Sequence, residues 1–175
     1  VAGERGVKSV GALLTEADLG LVSEVLGTWR DPDLIITAKN GRPFLYRWHL
    51  IPRYATKANV YLHVQCQSDP DRPMHDHPYD NCSVLLAGRY TELLDTTPEK
   101  TGHTEDLYHR GPGDVIWRKA EWAHRIVLPK GVPYSISIFT TGPPRRVWGF
   151  HASSGFLPHT EYAGCGCIEC QENAT

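Results

Sequence analysis

The sequence predicts a predominantly β sandwich or barrel with one helix in front of it. Short runs of β-branched and aromatic residues recur from Asp33 onward, punctuated by glycine, proline and asparagine. A single stripe at helical spacing, Leu19, Val22 and Leu26, precedes them. At 175 residues the chain is long enough for one domain with a full core and too short for two ordinary ones.

Taken in order, Thr15-Glu16-Ala17-Asp18 reads as a helix start. The threonine hydroxyl can accept a free backbone N–H, and acidic residues suit the positive end of the helix dipole. The helix is expected to end near Gly27 and to lay its apolar stripe on the outside of the barrel. Strands are then expected at residues 34–37, 44–48, 59–65, 82–94, 114–118, 124–128, 134–140 and 147–151, with Asn40-Gly41 as a strong turn signal between the first two. Residues 68–73 read as a loop. Residues 96–109 are polar and weakly patterned, so they read as a long surface connection, either a cover for the barrel mouth or an inert loop. The resulting division is a helical segment over residues 1–32, a barrel over 33–158 and a cysteine-containing tail over 159–175.

Composition narrows the function classes. Apolar residues make up 41%, charged residues 22%, and the formal net charge is −2, which fits neither a disordered chain nor a strong nucleic-acid binder. Arg145-Arg146 beside Trp148 is too little for a nucleic-acid patch. No run approaches the roughly 18 apolar residues of a membrane helix. The expected partner is a small molecule, with no nucleic acid and no membrane, and the expected compartment is the cytoplasm. Five cysteines without regular spacing point to reduced thiols. Cys165, Cys167 and Cys170 can hold a soft metal if His159 approaches, or form a tail of free thiols.

The chemistry is concentrated in His75-Asp76-His77, followed by Gly88 and, after the Gly113-Asp114 turn, by His124. Two histidines two apart on extended chain face the same way, and a third from a neighbouring strand completes three corners of a metal site. Pro78 restricts His77 to extended geometry. Three residues separate His77 from Asn81 and six separate Asn81 from Gly88; five separate Gly113 from Lys119, and His124 lies five beyond that.

These spacings resemble the two sequence motifs of the cupin superfamily, which implies a cupin-type jelly-roll β-barrel with a metal inside it. In that family the first motif supplies two histidines and a glutamate and the second supplies a histidine. This chain departs from the pattern with Asn81, preceded by Asp80, in place of the glutamate. It also has Lys119, Glu121 and Leu128 where the second motif usually has proline, glycine and asparagine. Further segments, Leu50-Ile51-Pro52-Arg53, Tyr61-Leu62-His63, His75-Asp76-His77-Pro78 and the run from Thr141-Gly142-Pro143 to Gly149-Phe150-His151, resemble an uncharacterised subgroup of single-domain cupins.

The metal ligands expected are His75, His77 and His124, with Asn81 offering a weak carbonyl ligand. Asp80 is the candidate catalytic group. It orients a histidine or moves a proton, or becomes a ligand itself if Pro78 and Tyr79 introduce a bulge. One divalent ion is expected; Fe(II) is favoured, and zinc, manganese, nickel and copper remain open. Arg47, Arg53, Arg89, Arg118 and Arg125 lie in or beside strands, and one turned inward would suit an acidic substrate. Tyr61, Tyr90 and Trp117 are candidate cavity walls, and His63 reads as a satisfied core histidine.

The functional expectation is a metal-dependent enzyme on a small polar molecule, an Fe(II) dioxygenase-like oxidoreductase. The alternatives are metal-assisted isomerisation or ring opening of a sugar acid, since some cupins of that kind carry an amide in the glutamate position, and a non-catalytic ligand-binding cupin. A similarity to thiol dioxygenases is limited to the barrel and the three-histidine site. Pairing into a homodimer is left open by the family resemblance.

Overall fold

The computed structural model describes residues 9–70, 72–98 and 105–162. A short 3-10 turn, Val10–Ala12, leads into helix α1 (Glu16–Leu26). The strands are β1 (Leu34–Thr37), β2 (Pro43–His49), β3 (Asn59–Gln65), β4 (Met74–His75), β5 (Asn81–Gly88) and β6 (Tyr90–Asp95), then β7 (Asp106–Arg110), β8 (Val115–Arg118), β9 (Ala123–Val127), β10 (Ser135–Thr141), β11 (Gly149–Ala152) and β12 (Gly155–Pro158). They form two six-stranded sheets, ordered β1-β2-β3-β10-β5-β8 and β12-β11-β4-β9-β6-β7. Every pairing is antiparallel. This is a jelly-roll barrel, mainly β with one helix, as the sequence leads one to expect.

Alternation along the strands sorts side chains between the outer face and the interior. On β3, Leu62 and Val64 are fully buried against Val22 of α1, together with Val10, Leu14, Tyr46, Trp48, Tyr134 and Ile136. Helix α1 therefore closes the outer face of the first sheet. Thr15 caps it by accepting from Asp18 N at 3.2 Å. The cap is tied to the sheet, because Tyr134 Oη donates to Asp18 Oδ2 at 2.5 Å and accepts from Thr15 N at 3.1 Å. The opposite residues of β3, Tyr61 and His63, face the interior with Arg47 and Phe139. A smaller cluster of Leu85, Tyr90 and Ile116, backed by Ile126 and Leu128, fills another part of the barrel.

Three expectations need correction. Residues 82–94 are not one strand: β5 ends at Gly88 and β6 begins at Tyr90 in the other sheet. The crossing needs glycine, since Gly88 has φ +72° and a Cβ there would stand 2.3 Å from Tyr134 O. Residues 96–109 are not wholly a loop either, because β7 pairs along β6 from Leu94↔Asp106 to Tyr90↔Arg110. Its side chains are mostly exposed on an edge strand, which is why no alternating apolar signal marks it. Trp117, a candidate cavity wall, is 72% exposed, since strand parity turns it outward while its neighbours Ile116 and Arg118 turn in. No described helix is long and apolar enough to cross a membrane. Cys165, Cys167 and Cys170 lie outside the described residues; Cys66 and Cys82 are free thiols.

Candidate metal centre

His75 sits opposite His124 across the β4–β9 pairing, and His77 follows on extended chain just past β4. One ligand atom from each of His75, His77 and His124 lies within 4.8 Å of the others. Asp76, between the first two, points the other way and is fully buried. It accepts from Gly149 N at 2.7 Å and from Arg146 Nη1, and its Oδ2 pairs with His151 Nε2 at 3.0 Å. This anchor holds the backbone so that both flanking imidazoles turn into the barrel. His77 N also donates to Ala120 O at 3.1 Å, and the His77 ring stacks on Tyr79 with centroids 5.8 Å apart.

The group behind His124 is Glu92 on β6, which has no exposed side-chain surface. Its Oε1 lies 3.1 Å from His124 Nδ1 and accepts from Arg118 Nε at 2.5 Å; its Oε2 accepts from Arg110 Nε at 3.0 Å. These donors hold the carboxyl well below the usual carboxylate range despite burial, so it is ionised and only accepts. His124 must then carry its proton on Nδ1 and present the Nε2 lone pair inward. A histidine whose second nitrogen is held by a carboxylate is the arrangement that orients metal-ligating imidazoles.

The donor set fits an ion. Burial, the largest cause, pushes the pKa values of His75 and His77 well below the ordinary histidine value, so both are neutral at neutral pH. His77 Nε2 and His124 Nε2 stand 2.9 Å apart. Two imidazole nitrogens each at about 2.0–2.1 Å from one ion would stand about 3 Å apart at a right angle.

The two residues that depart from the cupin pattern are placed differently from the histidines. Asp80 lies just before β5 and turns to solvent, its side chain 56% exposed. It accepts from Arg145 Nη2 at 2.7 Å and from Ala120 N at 2.8 Å, which lower its pKa, and it is not in the histidine cluster. No bulge carries it inward, because Asn81 already pairs in register with Arg118 and Thr141. Asn81 is buried in the barrel. Its Oδ1 accepts from Arg118 Nη1 at 3.4 Å, while Nδ2 is buried without a partner. In this orientation the atom left over is a donor, and a metal needs a lone pair.

Among the arginines, Arg118 is the fully interior one, with further contacts to Ser83 Oγ at 3.0 Å and Tyr90 Oη at 3.4 Å. Arg47 Nε donates to His63 Nε2 at 2.9 Å, and the guanidinium lies 4.7 Å over the Tyr61 ring. His63 is therefore a satisfied interior histidine, clustered with the rings of Tyr61 and Phe139, with burial depressing its pKa strongly. Arg53 and Arg89 are exposed. Tyr61 and Tyr90 are interior. His159 stacks on Trp148 with centroids 4.6 Å apart.

A cavity of about 550 Å³ reaches His75 and His77 from outside, walled by the β1–β2 hairpin, residues 67–70, Arg72, Trp148 and Tyr162. On its wall, Asp69 accepts from Ile126 N at 2.7 Å, and burial raises its pKa. Sequence reading did not single out Glu92, Asp69 or Arg72. Glu92 in Tyr90-Thr91-Glu92 does have the alternation of an inward position, but only tertiary packing shows what it meets.

No protein-family model matches the chain, and no curated protein does. Solved structures of low similarity include hydroxypropylphosphonic acid epoxidase from S. wedmorenis, at 18% identity over 75% of this chain and 76% of that chain, with a TM-score of 0.45. KdgF from Halomonas sp. matches at 17% identity, 59% of this chain and 84% of that chain, with a TM-score of 0.40. A cupin superfamily protein from Desulfitobacterium hafniense matches at 14% identity, 57% and 77%, with a TM-score of 0.42. The strand order and the position of the histidines, rather than these superpositions, carry the assignment. Two facing antiparallel sheets with three converging histidines between them give this chain the cupin-type jelly-roll fold.

Proposed function

We propose that this protein is a metal-dependent enzyme acting on a small polar molecule, an Fe(II) dioxygenase-like oxidoreductase. The observation that carries the reading is the all-imidazole cluster, which no described carboxylate or thiol joins, opening onto a 550 Å³ cavity. A divalent ion held by neutral ligands keeps its charge and open positions and supplies Lewis acidity and, for iron, redox chemistry with dioxygen. The chain does the rest. Glu92 fixes the His124 tautomer, Asp76 holds His75 and His77 facing inward, and Tyr61, His63 and Phe139 form a stacked wall near His77 that limits water.

One observation favours a second reading. Asp69 is a carboxylate on the same cavity wall as His75 and His77, placed to move a proton in a metal-assisted isomerisation or ring opening of a sugar acid. Asp80, paired with Arg145 at the surface, does not offer that.

The test is an oxygen electrode and product analysis on protein stripped of metal and reloaded with Fe(II) or Zn(II), against a panel of small acids. Oxygen consumption with iron alone is the expected result. Equal turnover with zinc or without oxygen would replace the oxygenase reading by the isomerase one, and tight binding without product would make the protein a ligand-binding cupin.

A further inference from the structure

Arg72 is the unexplained charge of this cavity. It lines the wall together with His75 and His77. Its guanidinium carbon lies 4.7 Å over the Phe150 ring. Its Nε is buried with no hydrogen-bond partner, and among the described residues Arg72 makes no ion pair. Two other arginines that enter the interior have carboxylates: Arg118 has Glu92 and Arg146 has Asp76. A half-buried arginine on the wall of an open cavity, whose guanidinium makes no hydrogen bond or ion pair among the described residues, is a group waiting for an acceptor.

The surrounding charge selects the acceptor's sign. Lys39 and Arg72 line the cavity against one acid, Asp69, whose Oδ2 is already taken by Ile126 N. Phe44, Trp148 and Ile36 give the wall an apolar, aromatic stretch beside the neutral polar Asn40, Gln67 and Ser68. We infer that Arg72 is the seat for an acidic group, a carboxylate in the first instance, so that the substrate is a small organic acid. Its apolar body lies along Trp148, and its far end is delivered to the His75–His77 side. This deepens the proposed function and rests on it for the word substrate; the anion seat itself does not need a metal.

Benzoate is a suitable probe, because its carboxylate suits the guanidinium fork and its ring suits the aromatic wall; benzamide is its neutral counterpart. Calorimetric titration of the full chain, both stripped of metal and metal-loaded, should show benzoate binding to the stripped protein and benzamide binding at least about tenfold more weakly. Arg72→Gln should weaken benzoate by about tenfold or more, and Arg72→Lys, which keeps charge but loses the fork, by less. Metal content measured on the same samples should be unchanged in both variants, which also reports that the barrel is folded. If Arg72→Gln fails to fold, the benzoate–benzamide contrast in the native chain and the Arg72→Lys variant still decide. Equal binding of the two probes, no benzoate binding to stripped protein, or benzoate affinity indifferent to Arg72 would overturn the inference. Benzoate binding only to metal-loaded protein would place the acid on the ion, sinking the Arg72 seat while leaving the metal reading intact. Anion binding in a chain that takes up no metal would do the reverse.

Discussion

Glu92 shows how much of the site one buried residue decides. It receives Arg110, Arg118 and His124. Glu92→Ala would strand the buried Arg118 charge, and breaking such a pair costs about 3–5 kcal/mol. Urea denaturation should show that loss, and the surviving folded protein should bind metal about 10–100-fold more weakly because His124 loses its orienting acceptor. Retained metal affinity would mean His124 is positioned by something else. Asp80→Ala is the contrasting case. Its partners are the exposed Arg145 and the backbone N of buried Ala120, so the substitution should cost about 1–2 kcal/mol and leave metal content unchanged. The sequence motif makes the three histidines legible because their spacing maps directly onto strand parity. It cannot separate Asp80 from Asn81, since one residue of register decides which of the two turns inward, and that register is set by β8 and β10.

At the scale of elements, the N-terminal helix follows its local signals closely, with Thr15 as cap and Gly27 after the last turn. What the signals lack is the tie from Tyr134, more than a hundred residues away, to the capping residues. Thr15→Ala should therefore cost about 1 kcal/mol or somewhat more, within the range known for such caps, read from the chemical-denaturation midpoint. The break at Gly88 is harder to read, because residues 82–94 are uniformly strand-like and a lone glycine does not announce a change of sheet. Gly88→Ala should destabilise by more than the ordinary glycine-to-alanine range, as its Cβ would meet backbone at Tyr134 O rather than a flexible side chain. Unchanged stability in that variant would mean the β5–β6 crossing can relax. The edge strand β7 escapes sequence reading for a different reason: it is held by ladder hydrogen bonds to β6 and buries little.

Across the whole molecule, a barrel that keeps imidazoles inside acquires a definite pH dependence. His63 is buried and His75 and His77 are half-buried, and in all three the pKa is pushed well down, burial being the largest cause. In the unfolded chain a histidine takes up its proton near pH 6.5. Between that value and the depressed folded one, the unfolded state binds more protons, so stability rises with pH and is lost as pH falls below about 6.5. The urea midpoint of metal-free protein should fall on acidification from about pH 7.5 to about 5.5, and His63→Gln should fall less steeply. A flat profile would mean the interior admits a charged imidazole. The barrel class was legible from punctuation and alternation, because both faces of each sheet leave a period-two trace. The cavity was not, since its walls come from the β1–β2 hairpin, residues 67–70, Arg72, Trp148 and Tyr162, which meet only after the sheets close. The central claim is that His75, His77 and His124 hold one metal ion, and elemental analysis of freshly purified chain against its histidine variants tests it most directly. The expected result is one divalent ion per chain in the native protein, with most of it lost on replacing any one of the three by alanine while the β-sheet circular dichroism is preserved. Full stoichiometric metal retention in a folded His77→Ala/His124→Ala double variant would contradict it.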